Sequence, residues 1–310
     1  MISRPRRIIA AVFLTPVLLA GAFLLWPRKP PHPTGVWMER AGVSPRYVDA
    51  GGLRIRYVRR GSGPPVLLAH GFASSIYTWS EVIPLLAQRH DVVAVDLPGF
   101  GGSDVPTRLD GESGAELLSR VMDGLGIARA SLAGNSLGGA LSAVTAARHP
   151  ERVERLVLLD SAAYSMARAD RPRMLRVIAA APKFLLEAFP QRPMMRMGLK
   201  QVFFDDSLVT PEKVEEYLAP MARPGAREAS HRLLTGGETF GLPGILRQVR
   251  APTLVIWGAN DAWIPVRDAD RFVRDIPGAR KVILDRCGHV PQEEKPQEVA
   301  RLIEDFLQNN

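Results

Sequence analysis

The sequence predicts an α/β fold: a mostly parallel central sheet flanked by helices, with a helical insertion in its second half and an apolar helix ahead of it. Three observations carry this reading. Short apolar runs of strand length, Pro65–Ala69, Val92–Asp96, Arg155–Asp160 and Thr253–Gly258, alternate with stretches of helical pattern, the order that builds parallel sheets. That rhythm stops from about Ser161 to Gly244, where helical stretches broken by Pro172, Pro182, Pro190, Pro193, Pro211, Pro220 and Pro224 take over. The third is the turn Gly134-Asn135-Ser136-Leu137-Gly138, which joins a strand to a helix.

Taken in order, the chain begins with Arg4, Arg6 and Arg7, followed by an uncharged run from Ile8 to Trp26 and then Arg28 and Lys29. A helix over that run is about 28 Å long, close to the hydrocarbon thickness of a bilayer. It lacks a polar face, so a buried core helix is the poorer reading. The small residues Ala20-Gly21-Ala22 mimic a signal-peptide cleavage site, but Phe23-Leu24-Leu25-Trp26 continues the apolar run past it, which favours an uncleaved anchor. The arginines ahead of the run keep the N-terminus cytoplasmic. The rest of the chain is then extracytoplasmic, periplasmic or extracellular, and secreted if the segment is cleaved. Residues 1–28 are assigned to this anchor and 29–45 to a linker.

Tyr47–Asp49 and Leu53–Val58 flank Ala50-Gly51-Gly52 as a β-hairpin. Pro65–Ala69 and Val92–Asp96 are continuous apolar runs, as expected of strands buried on both faces, with a helix from Thr78 to Arg89 between them. A helix from Glu112 to Leu125, a strand at Ala130–Ala133, a helix from Ala140 to His149 and a strand at Arg155–Asp160 complete a first core part, residues 46–160. The helical cap occupies 161–246. Thr253–Gly258, a helix from Val266 to Asp275 and a buried strand at Lys281–Leu284 form the second core part, 247–310. Met194, Met195, Met197, Phe203 and Phe204 are candidate apolar lining of the cap.

Composition narrows the function classes. The net charge is +8, yet the basic residues are scattered and no nucleic-acid motif appears, so attraction to anionic lipid head groups is the more economical reading and no nucleic-acid partner is expected. Between Ser165 and Lys200 basic residues outnumber acids eight to two, which most often marks the solvated face of helices. The single cysteine, Cys287, makes no intrachain disulfide, and the six histidines show no zinc-type spacing. Neither a metal nor an organic cofactor is implied.

The Gly134–Gly138 stretch spells G-x-S-x-G. A serine hydroxyl becomes a usable nucleophile when it is held exposed beside a base, and a sharp strand-to-helix turn does this. The same turn puts Ser136 at a helix N-terminus, where free N–H groups favour a developing oxyanion; Leu137 N–H is one expected donor. Phe72 N–H, in the loop His70-Gly71-Phe72 after the first central strand, is the other. His289 is the expected base and Asp261 the acid that orients it. Both lie in loops at strand ends and follow Ser136 in the order Ser, Asp, His. Each has a blander reading, Asp261 as a helix cap and His289 as a polar loop residue. Asp160, at the end of another strand, is the competing acid.

These residues, with Asp96-Leu97-Pro98-Gly99-Phe100-Gly101-Gly102-Ser103, Gly258-Ala259-Asn260-Asp261 and Gly288-His289-Val290-Pro291-Gln292-Glu293, resemble the α/β-hydrolase superfamily over residues 47–308. Within it they resemble the cap-bearing group of epoxide hydrolases, dehalogenases, C–C bond hydrolases, cofactor-free haloperoxidases and esterases. The resemblance implies an α/β-hydrolase fold with a helical cap and a Ser136–His289–Asp261 triad. Two departures prune the activities. Epoxide hydrolases and haloalkane dehalogenases attack with an aspartate, where this chain has Ser136; the C–C hydrolases tend to carry tryptophan after the catalytic histidine, where this chain has Val290.

The expectation is therefore a serine esterase or lipase-like enzyme acting on a small-molecule or lipid-like ester through an acyl-enzyme. The alternatives are a C–C bond or amide hydrolase of the same fold, and a ligand receptor that retains it. Chain-length preference, acyl acceptor and oligomeric state stay open at the level of sequence.

Overall fold

A computed structural model describes residue 31 and residues 35–106, 111–164, 191–235 and 242–308. Eight strands form one sheet: β1 (Arg46–Asp49), β2 (Arg54–Arg60), β3 (Pro65–Ala69), β4 (Asp91–Val95), β5 (Ala130–Asn135), β6 (Val153–Leu159), β7 (Thr253–Gly258) and β8 (Arg280–Leu284). Their order is β1-β2-β4-β3-β5-β6-β7-β8. β1 and β4 both run antiparallel to β2, and every pair from β4 onward is parallel.

The apolar runs explain why the middle strands are central. Leu67 and Ala69 pack into one core beneath the helices Gly111–Gly124, Leu137–Arg148 and Arg267–Asp275. Val66 and Leu68 pack into a second core on the other face, with Ile83, Trp79 and the helix Pro296–Gln308. The side-chain period of two sends alternate residues of each strand to opposite cores, so both faces must be apolar. Burial of each Leu, Ile or Val stabilises by roughly 1.5–3 kcal/mol.

Parallel pairing also assembles the site. Ala69 pairs with Gly134, Asn135 with Leu159, Leu159 with Ile256, and Gly258 with Leu284. The residues that follow these strand ends therefore leave the sheet at the same edge. β3 lies between β4 and β5, so the connections diverge there, which is where open α/β sheets form their crevice.

Four local expectations differ from the structure. The stretch Thr78–Arg89 is not one helix but a 3-10 turn, Ile76–Trp79, followed by the short helix Ile83–Leu86. Pro84 lacks an N–H and cannot bond the carbonyl four residues back, so the two turns do not join. The segment read as a linker contains the helix Val36–Arg40, whose Trp37 is buried and meets Tyr77 edge-on at 5.9 Å. β8 is an edge strand with only Leu284 buried and Ile283 exposed, which leaves Arg280 and Lys281 in solvent where they blunt the edge. The helix after the elbow starts at Leu137, earlier than Ala140.

Between β6 and β7 the described residues form the helices Gln191–Val202, Pro211–Met221, Ala226–Thr235 and Leu242–Ile245. The first two share an apolar cluster of Leu199, Val202, Phe203, Val209, Val214, Tyr217 and Leu218, which also takes in Val290, while Leu233 and Leu242 of the other two pack on the main core. Phe203 thus belongs to the insertion's own core, while Met197 is 54% and Phe204 40% exposed. Arg223 ties the insertion to the loop after β4, donating to the carbonyls of Gly101 at 2.6 Å and Ser103 at 2.7 Å.

Among the described residues no helix is long and apolar enough to cross a membrane. The expected anchor, Ile8–Trp26, lies outside the described residues.

Candidate active site

The turn after β5 is tight enough to exclude side chains at its flanks. A Cβ on Gly134 would stand 2.3 Å from the carbonyl of Gly138, and one on Gly138 would stand 2.2 Å from the carbonyl oxygen of Ala69. Ser136 between them is held at φ 53° and ψ −114°, a conformation that costs a non-glycine residue of order 1–3 kcal/mol and persists only where the surroundings enforce it. Those surroundings are backbone hydrogen bonds: Ser136 N–H donates to Leu159 O at 2.9 Å, and Ala162 N–H and Ala140 N–H both donate to Ser136 O at 3.0 Å. Leu137 opens the helix Leu137–Arg148, so its N–H has no intrahelical acceptor.

The loop after β3 runs against this turn. A Cβ on Gly71 would meet Asn135 Oδ1 at 3.0 Å and the Ser136 Cβ at 3.2 Å, so the backbone leading into Phe72 passes beside the serine. The Phe72 ring is partly buried and rests edge-on against Phe100 at 5.6 Å. His70, wholly buried, staples the loop: Leu97 N–H donates to its Nε2 at 2.9 Å, and Nδ1 lies 2.7 Å from Gly71 O. Accepting at Nε2 while donating at Nδ1 requires the neutral ring. Burial, partly opposed by Asp96, holds its pKa below the ordinary histidine value.

His289 and Asp261 meet above β7 and β8. His289 Nδ1 lies 2.7 Å from Asp261 Oδ2, and both side chains are almost inaccessible, at 4% and 0% exposure. Asp261 Oδ1 accepts from Trp263 N–H at 2.7 Å and Ile264 N–H at 3.0 Å, which fixes the carboxylate while Oδ2 faces the imidazole. With Nδ1 engaged, Nε2 is the nitrogen left to act as a base. Asn260 N–H donates to Cys287 O at 2.9 Å and so binds the two loops together. Burial raises the Cys287 thiol pKa and leaves it an unreactive space-filler.

The hydrogen bond of His289 thus goes to Asp261 and not to Asp160, the competing acid, which lies behind the pair. Asp160, Asp261 and His289 each place one ligand-type atom within 4.8 Å of the others. His289 Nδ1 and Asp261 Oδ2 are hydrogen-bonded to each other.

Three contributors were not singled out from the sequence. Asn135 Nδ2 donates to His289 O at 3.0 Å and to Leu159 O at 3.2 Å, which links the serine turn to the histidine loop. Its only sequence signal is its place beside Ser136. Trp263 stacks on His289, two residues beyond Asp261. The third is a buried cluster that locks the insertion onto the helix Pro291–Glu294. Lys213 and Tyr217 donate to Glu293, Thr78 Oγ1 donates to Glu293 at 2.7 Å, and Gln292 Nε2 donates to Thr78 at 2.8 Å. Such long-range pairs leave no sequence pattern. The insertion also reaches the histidine directly, since His289 N–H donates to Val202 O at 2.8 Å.

A family model described as "alpha/beta hydrolase fold" matches residues 64–296, and the chain belongs to that family of hydrolases. Among its curated relatives, a 2-hydroxy-6-oxo-2,4-heptadienoate hydrolase of Pseudomonas putida is 31% identical over 277 residues, 84% of this chain and 95% of that protein. Among solved structures, a meta-cleavage product hydrolase of Pseudomonas fluorescens superposes with a TM-score of 0.74 at 29% identity, covering 84% of this chain and 97% of the other. A membrane phospholipase A described as a bacterial virulence factor superposes with a TM-score of 0.69, also at 29% identity, and covers 97% of this chain and 98% of its own.

Proposed function

We propose that this chain is a serine ester hydrolase acting on a lipid-like carboxylic ester, with Ser136 as nucleophile, His289 as base and Asp261 as orienting acid. The observation that carries the reading is the 2.7 Å His289–Asp261 hydrogen bond beside a serine held in a strained turn at a helix N-terminus. Ser136 Oγ attacks the acyl carbon while His289 Nε2 takes its proton, and the carbonyl oxygen becomes an oxyanion facing the N–H groups of Leu137 and Phe72. Collapse expels the alcohol, protonated by His289, and leaves an acyl-Ser136 ester. Water, deprotonated by His289, then attacks that ester, releasing the carboxylic acid and restoring the hydroxyl. Asp261 keeps the proton on Nδ1 and stabilises the imidazolium formed in both halves. The helices of 161–246 act as a cap over the core parts 46–160 and 247–310.

The lipid part of the proposal rests on the N-terminal segment. The match to the membrane phospholipase A covers 97% of this chain. The C–C hydrolase match stops at 84%. The phospholipase neighbour's description as a membrane protein supports residues 1–28 as a membrane anchor, and the arginines ahead of the apolar run support a catalytic domain outside the cytoplasm. Carbonate extraction tests it: the full chain stays with the membrane pellet, and a chain lacking 1–28 is released.

A second reading, C–C bond hydrolysis, is favoured by the relatives that are named for it. The experiment that separates them incubates the protein with a fluorophosphonate probe and with two substrates, a short acyl ester and a 2-hydroxy-6-oxo-dienoate. Labelling confined to Ser136, lost in Ser136→Ala, with ester turnover supports the proposal; exclusive cleavage of the dienoate replaces it with the second reading. Absence of labelling in the folded protein overturns both.

A further inference from the structure

Behind the His289–Asp261 pair sits a carboxyl group with no assigned work. Asp160 follows β6, is wholly buried, and has a non-glycine backbone in the left-handed region at φ 43°. Its N–H donates to Ile256 O at 3.0 Å, which fixes where the side chain starts. Its Oδ1 accepts from Gly258 N–H at 3.0 Å, while Oδ2 is buried without a hydrogen-bond partner. A carboxylate oxygen left that way forfeits its hydration with nothing in return.

The surroundings decide its protonation. Asp160, Asp261 and His289 each place one ligand-type atom within 4.8 Å of the others, and the carboxylates that act on Asp160 are Asp261 first and then Glu294. Cys287, on the loop that also carries His289, is held as a neutral thiol. Glu294 is itself occupied, accepting from Gly288 N–H at 2.7 Å and Phe204 N–H at 2.8 Å. Two ionised carboxylates in buried contact repel strongly, and one of the two keeps its proton. Asp261 is the one stabilised as an anion, by two backbone N–H donors and the imidazole. The proton therefore belongs on Asp160, and burial first, then Asp261, raises the Asp160 pKa well above the ordinary carboxylate range.

We propose that Asp160 is a positioning residue: its carboxyl, carrying its proton on Oδ2, donates a hydrogen bond to the Asp261 carboxylate and holds it in register with His289. No bond is made or broken in this role. The donated bond gives the orienting acid a fixed back wall and draws off part of its charge, so that Asp261 steadies the imidazolium without making His289 too basic to release its proton. The inference rests on the triad reading for its kinetic consequence, but not for its thermodynamic one.

The test compares Asp160→Asn and Asp160→Leu with wild type. Asn carries an amide N–H that donates to Asp261 in place of the acid proton; Leu fills similar volume and donates nothing. With p-nitrophenyl butyrate, Asp160→Asn is expected to keep kcat within about threefold, with an unchanged acid limb of kcat/KM. Asp160→Leu is expected to lose about tenfold or more in kcat with KM little changed, and its acid limb moves up by about half a pH unit, because Asp261 becomes more basic. The second measurement is urea unfolding from pH 4 to 8 in the Ser136→Ala background, where no turnover is needed. A carboxyl whose folded pKa is raised stabilises the fold most below the unfolded value of 3.8, and that contribution is lost as pH rises toward the folded value. Asp160→Asn removes the loss, so its unfolding midpoint should gain on that of Asp160 as pH rises.

Equal pH profiles for all three proteins, impairment of Asp160→Asn equal to that of Asp160→Leu, or parallel stability curves for Asp160 and Asp160→Asn each overturn the proposal. If Asp160→Leu does not fold, the Asn comparison and the stability curves decide. Failure of the triad reading shows instead as a wild-type protein that the fluorophosphonate does not label, with the stability difference intact.

Discussion

The indole of Trp263 lies over the imidazole of His289, ring centroids 5.6 Å apart and planes 27° from parallel. The same residue donates its backbone N–H to Asp261, so it touches both partners of the hydrogen-bonded pair. An aromatic face favours a cation by about 0.5–2 kcal/mol, which is about two- to thirtyfold in rate if the imidazolium forms in the transition state. Trp263→Leu keeps the backbone donor and is expected to lower kcat/KM of ester hydrolysis by that factor and to move its acid limb to lower pH. Trp263→Phe keeps the stack and most of the activity. Steady-state pH profiles of the three proteins check it.

Asn135 is expected to matter to both stability and rate. Replacing it by Ala removes two buried donors and leaves the carbonyls of His289 and Leu159 without them. The cost is about 1–3 kcal/mol in urea unfolding. Because the lost tie spans the serine turn and the histidine loop, kcat should fall about ten- to hundredfold with KM nearly unchanged, as small displacements of a catalytic pair do.

His70 makes the loop after β3 sensitive to acid. Its ring is neutral when folded, with a pKa below the unfolded value of 6.5. Between those two values the unfolded chain binds the extra proton, so stability rises with pH. The contribution is fully present above 6.5 and is lost as pH falls through the folded value. One group sets a slope of at most about 1.4 kcal/mol per pH unit. Urea unfolding below pH 6.5 should show a slope in the wild type that is shallower in His70→Asn, and ester turnover should fall with it, since the same loop carries Phe72, the proposed oxyanion donor.

The turn glycine at 138 should tolerate nothing larger. Its added Cβ would stand 2.2 Å from a carbonyl oxygen of the neighbouring strand, so Gly138→Ala is expected to displace β3 or the turn and cost more than about 3 kcal/mol. Gly244, in the short helix Leu242–Ile245, has nothing within 4 Å of such an atom, and Gly244→Ala is expected to be neutral or to stabilise by up to about 1 kcal/mol. Thermal unfolding of the two variants beside wild type measures the contrast.

The pair Lys213–Glu293 shows where sequence reading ends. The residues are 80 apart, belong to different parts of the fold, and meet with 14% and 4% side-chain exposure beside Tyr217 and Thr78. Nothing local marks either as a partner of the other. The same holds for the choice between Asp160 and Asp261. Both follow apolar strands, and only the register of β6 on β7, with the loop after β7 bending back onto Cys287, sends Asp261 to the imidazole and leaves Asp160 behind it.

What the sequence by itself determined is whatever rests on interactions within a few residues. These are the parallel strands, whose apolar runs must be buried on both faces, and the serine turn, whose glycines answer clashes inside one strand-to-helix joint. The helical insertion is of the same kind, marked by the end of the strand rhythm. Tertiary structure decided the remainder. It split Ile76–Leu86 ahead of Pro84 into two turns, made a buried helical contact of Trp37, exposed β8, put Phe203 into the insertion's core and turned Met197 and Phe204 to solvent. It also chose the acid that bonds His289. Each of these depends on which distant surface a side chain meets, and burial and hydrogen bonding across the fold outweigh the weaker preferences of local sequence.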